Sequence, residues 1–252
     1  MNMKLLPPDF DESICEAVRI FWESRGKSTA TQDGTRGNVI SGKNLDGFLA
    51  VVHSVARHCG IPASSVFTKG RKDLSLPGYY RPAKNWDVVI VQDQRLLAVL
   101  EFKSQVGSFG NNFNNRAEEV IGNATDLWAA SQNGAYLPSN HQMATEVPAC
   151  IDPRPPFLGY QMLLEANDKS LSPVKIASPH YKVLPEFNDS SYAERYRILC
   201  ERLMKKNLYK AAALLLTPQN DLGRNGYNYS LSEATSVRNL YLQFAGQLLA
   251  AQ

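Results

Sequence analysis

No apolar run in this chain is long enough to cross a bilayer. The longest, such as AAALLL at 211–216, fall far short of the roughly 20 residues that a spanning helix needs. The N-terminal stretch does not combine basic residues, a long apolar run and a small-residue cleavage site. The sequence therefore implies a soluble protein with no leader and no membrane partner. Cysteine is scarce: Cys15, Cys59, Cys150 and Cys200 form no CxxC pair. That argues against a disulfide framework or a zinc site and for reduced thiols in a cytoplasmic protein. His53, His58, His141 and His180 share no ligand spacing such as HxxxH, so they read as structural. A phosphate-binding loop is nearly spelled by GNVISGKN at 37–44. Asn44 stands where Ser or Thr should reach magnesium, and no apolar strand precedes the loop, so nucleotide binding is rejected.

Charge of one sign is not in excess either. Lys and Arg total 27 against 24 Asp and Glu, a net charge of +3 over 252 residues. Charged residues are 20%, too few for a disordered chain, and apolar residues are 44%, enough for a sizeable core. The basic excess is local. Lys69, Arg71, Lys72, Arg81 and Lys84 face a single acid, Asp73, with Tyr79 and Tyr80 among them. Such a cluster fits a nucleic-acid partner.

The chain reads as one α/β domain over 1–252, a central mixed sheet flanked by helices. Ile14, Ala17, Val18 and Phe21 recur at helical spacing within 9–25, and Leu45, Phe48, Val52 and Val55 do so within 44–59, which Gly60 and Pro62 stop. A loop is expected at 26–42, and irregular basic chain at 63–84. WDVVIV (86–91) and RLLAVLEFKS (95–104) predict a buried hairpin. A loop over 107–115 is expected to lead into a helix at 116–131. A flexible surface excursion is expected near 133–156, then a core strand at 157–165. Ser191 and Glu194 form a capping box opening a helix to about 206; a strand follows at 211–217. Ser230 and Glu233 form a second box opening the C-terminal helix.

The chemistry lies in Asp87 followed, after thirteen residues, by Glu101, Phe102 and Lys103. Hydrolysis of a phosphodiester needs a divalent cation to polarise the phosphate and generate hydroxide near neutral pH. It needs hard oxygen ligands, of which magnesium usually takes one or two carboxylates. It also needs a positive group to handle the water and the developing charge. On a strand Glu101 and Lys103 share one face while Phe102 points to the other. A three-residue connection at Asp93, Gln94 and Arg95 pairs Gln92 with Leu96 and sets Asp87 opposite Glu101, Cβ atoms roughly 5 Å apart. A two-residue turn would pair Asp87 with Leu100 and misplace the carboxylate, so the longer turn is expected. Two carboxylates so close repel unless a cation such as Mg2+ joins them.

WDVVIV, AVLEFKSQVG and SFGNNFNNR together resemble the XhoI-type restriction endonucleases, the group that recognises CTCGAG. The likeness extends through FWESR (21–25), QDGTRGNV (32–39), LPGYYRPAKNWD (76–87) and RPPFLGYQMLLE (154–165). It implies a bacterial restriction-modification enzyme with a PD-(D/E)xK nuclease-like fold, acting on double-stranded DNA as a homodimer. It also implies that Asp87, Glu101 and the Phe102 carbonyl hold Mg2+ while Lys103 contacts water or phosphate. Trp86 stands where the family often has proline. NNFNNR at 111–116 offers Asn111, Asn112, Asn114, Asn115 and Arg116 for DNA, since Asn suits adenine and Arg suits guanine; binding phosphates and closing a turn are the other readings. Arg36 is a candidate for the DNA backbone. Glu16 and Glu23, seven apart on the first helix, form either a solvated face or an extra acid for the metal. The basic helix at 195–206 reads as a solvated face. A structure-directed repair nuclease and a catalytically silent DNA-binding module remain the alternatives.

Overall fold

The computed structural model describes residues 5–29, 45–137, 155–220 and 231–252. Helix α1 (Phe10–Thr29) and helix α2 (Asp46–His58) come first. Short strand β1 (Val66–Phe67) and a small ribbon, β2 (Ser75–Pro77) and β3 (Ala83–Asn85), follow. Then come hairpin strands β4 (Val88–Gln92) and β5 (Arg95–Gln105), helix α3 (Phe109–Gln132) and strand β6 (Phe157–Glu165). The one-turn helix α4 (Asp168–Leu171), helix α5 (Tyr192–Lys205), strand β7 (Ala211–Thr217) and helix α6 (Val237–Ala250) complete the order. The basic segment expected to be irregular thus contains β1 and the ribbon. The 133–156 excursion falls mostly outside the described residues.

The main sheet has the order β1-β4-β5-β6-β7. β1, β4 and β5 are antiparallel, whereas β5, β6 and β7 run parallel, so the sheet is mixed, as expected. FLGYQMLLE and AAALLLT are buried almost throughout, because parallel strands are covered on both faces. On one face Val88, Ile90, Leu100 and Phe102 pack with α1, α2 and α6. On the other Val89, Val99, Tyr160 and Met162 pack with α3 and α5. The α1–α2 crossing is tight: a Cβ on Gly47 would lie 2.6 Å from the Ala17 Cα. Among the described residues no helix is long and apolar enough to cross a membrane.

The hairpin turn is shorter than expected. Gln92 pairs with Arg95, leaving a two-residue loop of Asp93 and Gln94, both with positive φ of 50° and 60°. Both signs match the type I′ turn that suits the twist of a hairpin. A bulge then restores the register. Val91 pairs with Leu96 but Ile90 pairs with Ala98, so Leu97 is the extra residue. Leu97 and Ala98 both face the α1, α2 and α6 side. Val88 consequently pairs with Leu100, and one more step sets Asp87 across from Glu101, the register expected, reached by another device.

Two other boundaries differ. α3 begins at Phe109, so NNFNN is helix and not loop. Gly107 and Ser108, with φ of 68° and 46°, turn the chain from strand into helix. Asn and Gly are poor helix formers, but Phe109, Phe113, Ala117 and Val120 continue the buried stripe of Ala124 and Leu127, and that packing decides the outcome. At the C-terminal end the Ser191–Glu194 box is present on α5. Ser230 of the second box lies outside the described residues; residues 233–235 form a short 3-10 turn, and it is Ser236 that caps α6 by accepting from the Asn239 N–H.

Gln94 holds a left-handed conformation that costs a side-chain-bearing residue but not glycine. Gln94→Gly should therefore raise stability by up to about 1 kcal/mol, read as a higher midpoint in urea unfolding with an unchanged m-value.

Candidate active site

Asp87 lies just before β4, where the chain enters the hairpin, and the Trp86 N–H beside it donates to the carbonyl of Leu74, the residue that precedes β2. The Phe102 N–H, which would otherwise face the continuing strand, donates instead to Asp87 Oδ2 at 2.7 Å. The N–H and C=O of one strand residue point to the same side, so the Phe102 carbonyl also faces Asp87. Burial, and next the negative charge of Glu101, push the Asp87 carboxyl up to about 6 against the pull of the Phe102 N–H, Lys103 and Lys84.

Glu101 is 1% exposed. A carboxylate that deep requires compensation, and two ammonium groups supply it. Lys103 Nζ meets Oε1 at 2.6 Å and Lys84 Nζ meets Oε2 at 2.5 Å. Asn123 Nδ2 lies 3.4 Å from Oε1. Lys103 also reaches Glu119 Oε1 at 3.0 Å, and Glu119 Oε2 accepts from Arg116 at 2.7 Å. Burial works against a charged Lys103, but Glu101, with Glu119 and Asp87, outweighs it and holds its pKa above the ordinary lysine value. Burial likewise opposes ionisation of Glu119, and Lys103 and Arg116 reverse the balance, so its carboxyl stays below the usual range.

The supporting parts come from α3 and the ribbon. Glu119, Asn123 and Asp126 follow at helical spacing on one face of α3. Buried Asp126 accepts from the Tyr79 and Tyr80 N–H groups at 2.8 and 2.7 Å and from Arg81 Nε at 2.8 Å. Arg81 also donates to Asn123 Oδ1 at 2.8 Å. The ribbon corner is thereby clamped to the helix that faces Glu101. A cleft of about 440 Å3 is lined by Asp87, Lys103, Trp86 and Arg116.

Asp87, Glu101 and Lys103 are thus brought together as the sequence predicts. Asn111, Asn114 and Asn115 are exposed on the first turns of α3, with Asn112 half-buried and donating to the Ser108 carbonyl. Arg116 lines the cleft. Arg36 lies outside the described residues. Glu16 and Glu23 both pair with Arg19 on an exposed face of α1, the solvated reading. On α5, Arg197 pairs with Glu201 and Arg202 with Glu186, again a solvated face. Of the basic cluster, Lys69, Arg71 and Lys72 are exposed while Arg81 and Lys84 turn inward. Sequence reasoning missed Lys84, Glu119 and Asn123 as parts of the site. The polar spacing of Glu119, Asn123 and Asp126 within an apolar helix was the available signal.

A profile of the family described as "Restriction endonuclease XhoI" matches residues 24–230. The chain is 41% identical over 216 residues to the type II restriction enzyme XhoI of Xanthomonas vasicola, covering 83% of this chain and 82% of that protein. It is 38% identical over 227 residues to the type II restriction enzyme BstVI of Geobacillus stearothermophilus, covering 83% and 92%. It is 42% identical over 188 residues to the type II restriction enzyme AbrI of Azospirillum brasilense, covering 71% and 78%. No solved structure matches. A mixed α/β sheet with this degree of kinship defines a type II restriction enzyme, a site-specific deoxyribonuclease. The chain belongs to the XhoI family of restriction endonucleases.

The raised carboxyl of Asp87 has a measurable cost in the metal-free protein. The native state holds its proton up to about pH 6, whereas the unfolded chain releases it near 3.8, so stability falls as pH rises through that window and stays lower above it. Asp87→Asn removes the cost and keeps an acceptor for the Phe102 N–H. In EDTA the variant should be more stable than wild type at pH 8, by on the order of 1–3 kcal/mol, and the difference should vanish below pH 4. Equal melting temperatures at pH 8 would refute this.

Proposed function

We propose that this enzyme cuts double-stranded DNA at CTCGAG, between the outer C and T of each strand. It does so as a Mg2+-dependent, single-domain homodimer of the bacterial cytoplasm. The observation that carries the catalytic part is the convergence of Asp87, buried Glu101 and Lys103, with Asp87 and Lys103 lining a cleft of about 440 Å3. The CTCGAG site rests on the likeness to XhoI-type sequences. A palindrome read by two identical chains gives each strand one site.

The donor set suits magnesium. Asp87 and Glu101 supply hard carboxylate oxygens and the Phe102 carbonyl faces the same corner, which matches an ion that takes one or two carboxylates and keeps several waters. When bound, the ion supplies the charge that polarises the phosphate and makes water acidic enough to attack near neutral pH. The chain's own residues do the rest. Asp87 is oriented by the Phe102 N–H. Glu119 steadies the Lys103 ammonium, which orients the attacking water and offsets charge growing on the phosphate. Phosphodiester hydrolysis proceeds by attack of water on phosphorus with departure of the 3′ oxygen, which takes up a proton; no covalent enzyme intermediate forms.

Asn111, Asn112, Asn114, Asn115 and Arg116 are proposed DNA contacts, presented by a helix terminus instead of a loop. Exposed Asn111, Asn114 and Asn115 are the group free to meet base edges or phosphates, and each bidentate base contact contributes about 1–3 kcal/mol of discrimination. Arg36, with Lys69, Arg71 and Lys72, is assigned to the backbone.

Asp87→Ala, Glu101→Ala and Lys103→Ala should each cut the cleavage rate by at least about a hundredfold, and excess EDTA should stop wild-type cleavage. Near-normal cutting by Glu101→Ala would overturn the catalytic assignment. Sequencing the ends from a digested random library should return 5′-TCGA overhangs. Ends clustered at another palindrome would discard CTCGAG alone.

A further inference from the structure

Lys84 is not part of the Asp…Glu-x-Lys pattern, yet it is built into the site as firmly as Lys103. Its ammonium has three N–H donors and three acceptors around it. These are Glu101 Oε2, the Asn85 carbonyl at 3.2 Å and the face of the Trp86 ring, whose centroid lies 3.9 Å away. The side chain is 12% exposed, and the ribbon that carries it is pinned at its corner by Asp126. This is a positioned charge, not a surface lysine that drifted inward.

The charges around Glu101 balance without any added ion. Asp87, Glu101 and Glu119 stand against Lys84, Lys103 and Arg116, and both oxygens of Glu101 carry an ammonium. A divalent ion arriving at Glu101 therefore meets like charge at close range. The two lysines are not equivalent toward such an ion. Lys103 keeps Glu119 when Glu101 is taken. Among the described residues Lys84 has an ion pair with Glu101 alone.

We propose that Lys84 is a resident counter-ion of Glu101 which the divalent cation must displace from that carboxylate, so that the DNA-free protein binds its metal weakly. The inference rests on the reading of Glu101 as a metal ligand. Scissile phosphate, arriving with DNA, supplies the negative charge that lets the ion and both lysines share the site. Metal uptake is then coupled to DNA binding by charge balance, with Lys84 setting the strength of that coupling.

The test is calorimetric titration of Mn2+ into DNA-free protein. Lys84→Met should bind Mn2+ at least about tenfold more tightly than wild type, since a like charge has gone. Lys84→Arg, which keeps the charge, should stay close to wild type. Glu101→Gln should lose the site. A merely structural role for Lys84 predicts the opposite sign, because loosening the site weakens metal binding. If Lys84→Met does not fold cooperatively, Lys84→Gln replaces it with the same expectation. Equal or weaker Mn2+ binding by the neutral variant, with Glu101→Gln inactive in binding, overturns the role of Lys84 and leaves Glu101 as a ligand. Undiminished binding by Glu101→Gln overturns both.

Discussion

A carboxylate buried to 1% exposure must be compensated, and the arrangement around Glu101 is the consequence. β5 itself meets only part of that demand, and the compensation comes from two elements. Lys103 lies two residues along the same strand, and Lys84 comes from the ribbon before β4. Neither lysine would be held without further support. Glu119 on α3 secures one; the Trp86 ring and Asn85 carbonyl secure the other. The cleft, the ribbon and the polar face of α3 are thus connected through one side chain.

That connection explains why polar residues are tolerated where the packing is otherwise apolar. Asn123 and Asp126 are buried within an α3 stripe containing Val120, Ala124 and Leu127. Asn123 bridges Arg81 and Glu101, while Asp126 accepts three donors from the ribbon corner. Each satisfied group offsets its own burial. The network transmits the position of the ribbon to the carboxylate without any loop having to be rigid by itself.

Much of this was legible from residue patterns. The continuous apolar runs at 157–165 and 211–217 marked the covered parallel strands, and the Ser191–Glu194 box marked α5. Asp87, Glu101 and Lys103 stood out because acids interrupt strands there. The start of α3 was hidden because local propensity argues against NNFNN while tertiary packing of Phe109 and Phe113 argues for it. The C-terminal cap was misplaced because Ser236 caps as well as the earlier Ser–Glu pair promised to. Lys84 was illegible for a different reason: its partner is 17 residues away, and neither periodicity nor spacing within one element encodes a contact made between ribbon and strand.

The extra residue at Leu97 bears on how such motifs are counted. In a regular hairpin with a two-residue loop, directly opposed residues are always separated by an even number of positions. Asp87 and Glu101 are separated by thirteen, an odd number, and only the bulge reconciles that with the short turn. The parity of the interval between the acid and the Glu-x-Lys triplet therefore carries structural information. Odd intervals demand either an odd loop or a displaced residue in one strand; even intervals demand neither. The parity of the interval, more than its length, then separates hairpins that must accommodate an unpaired residue from those that need not.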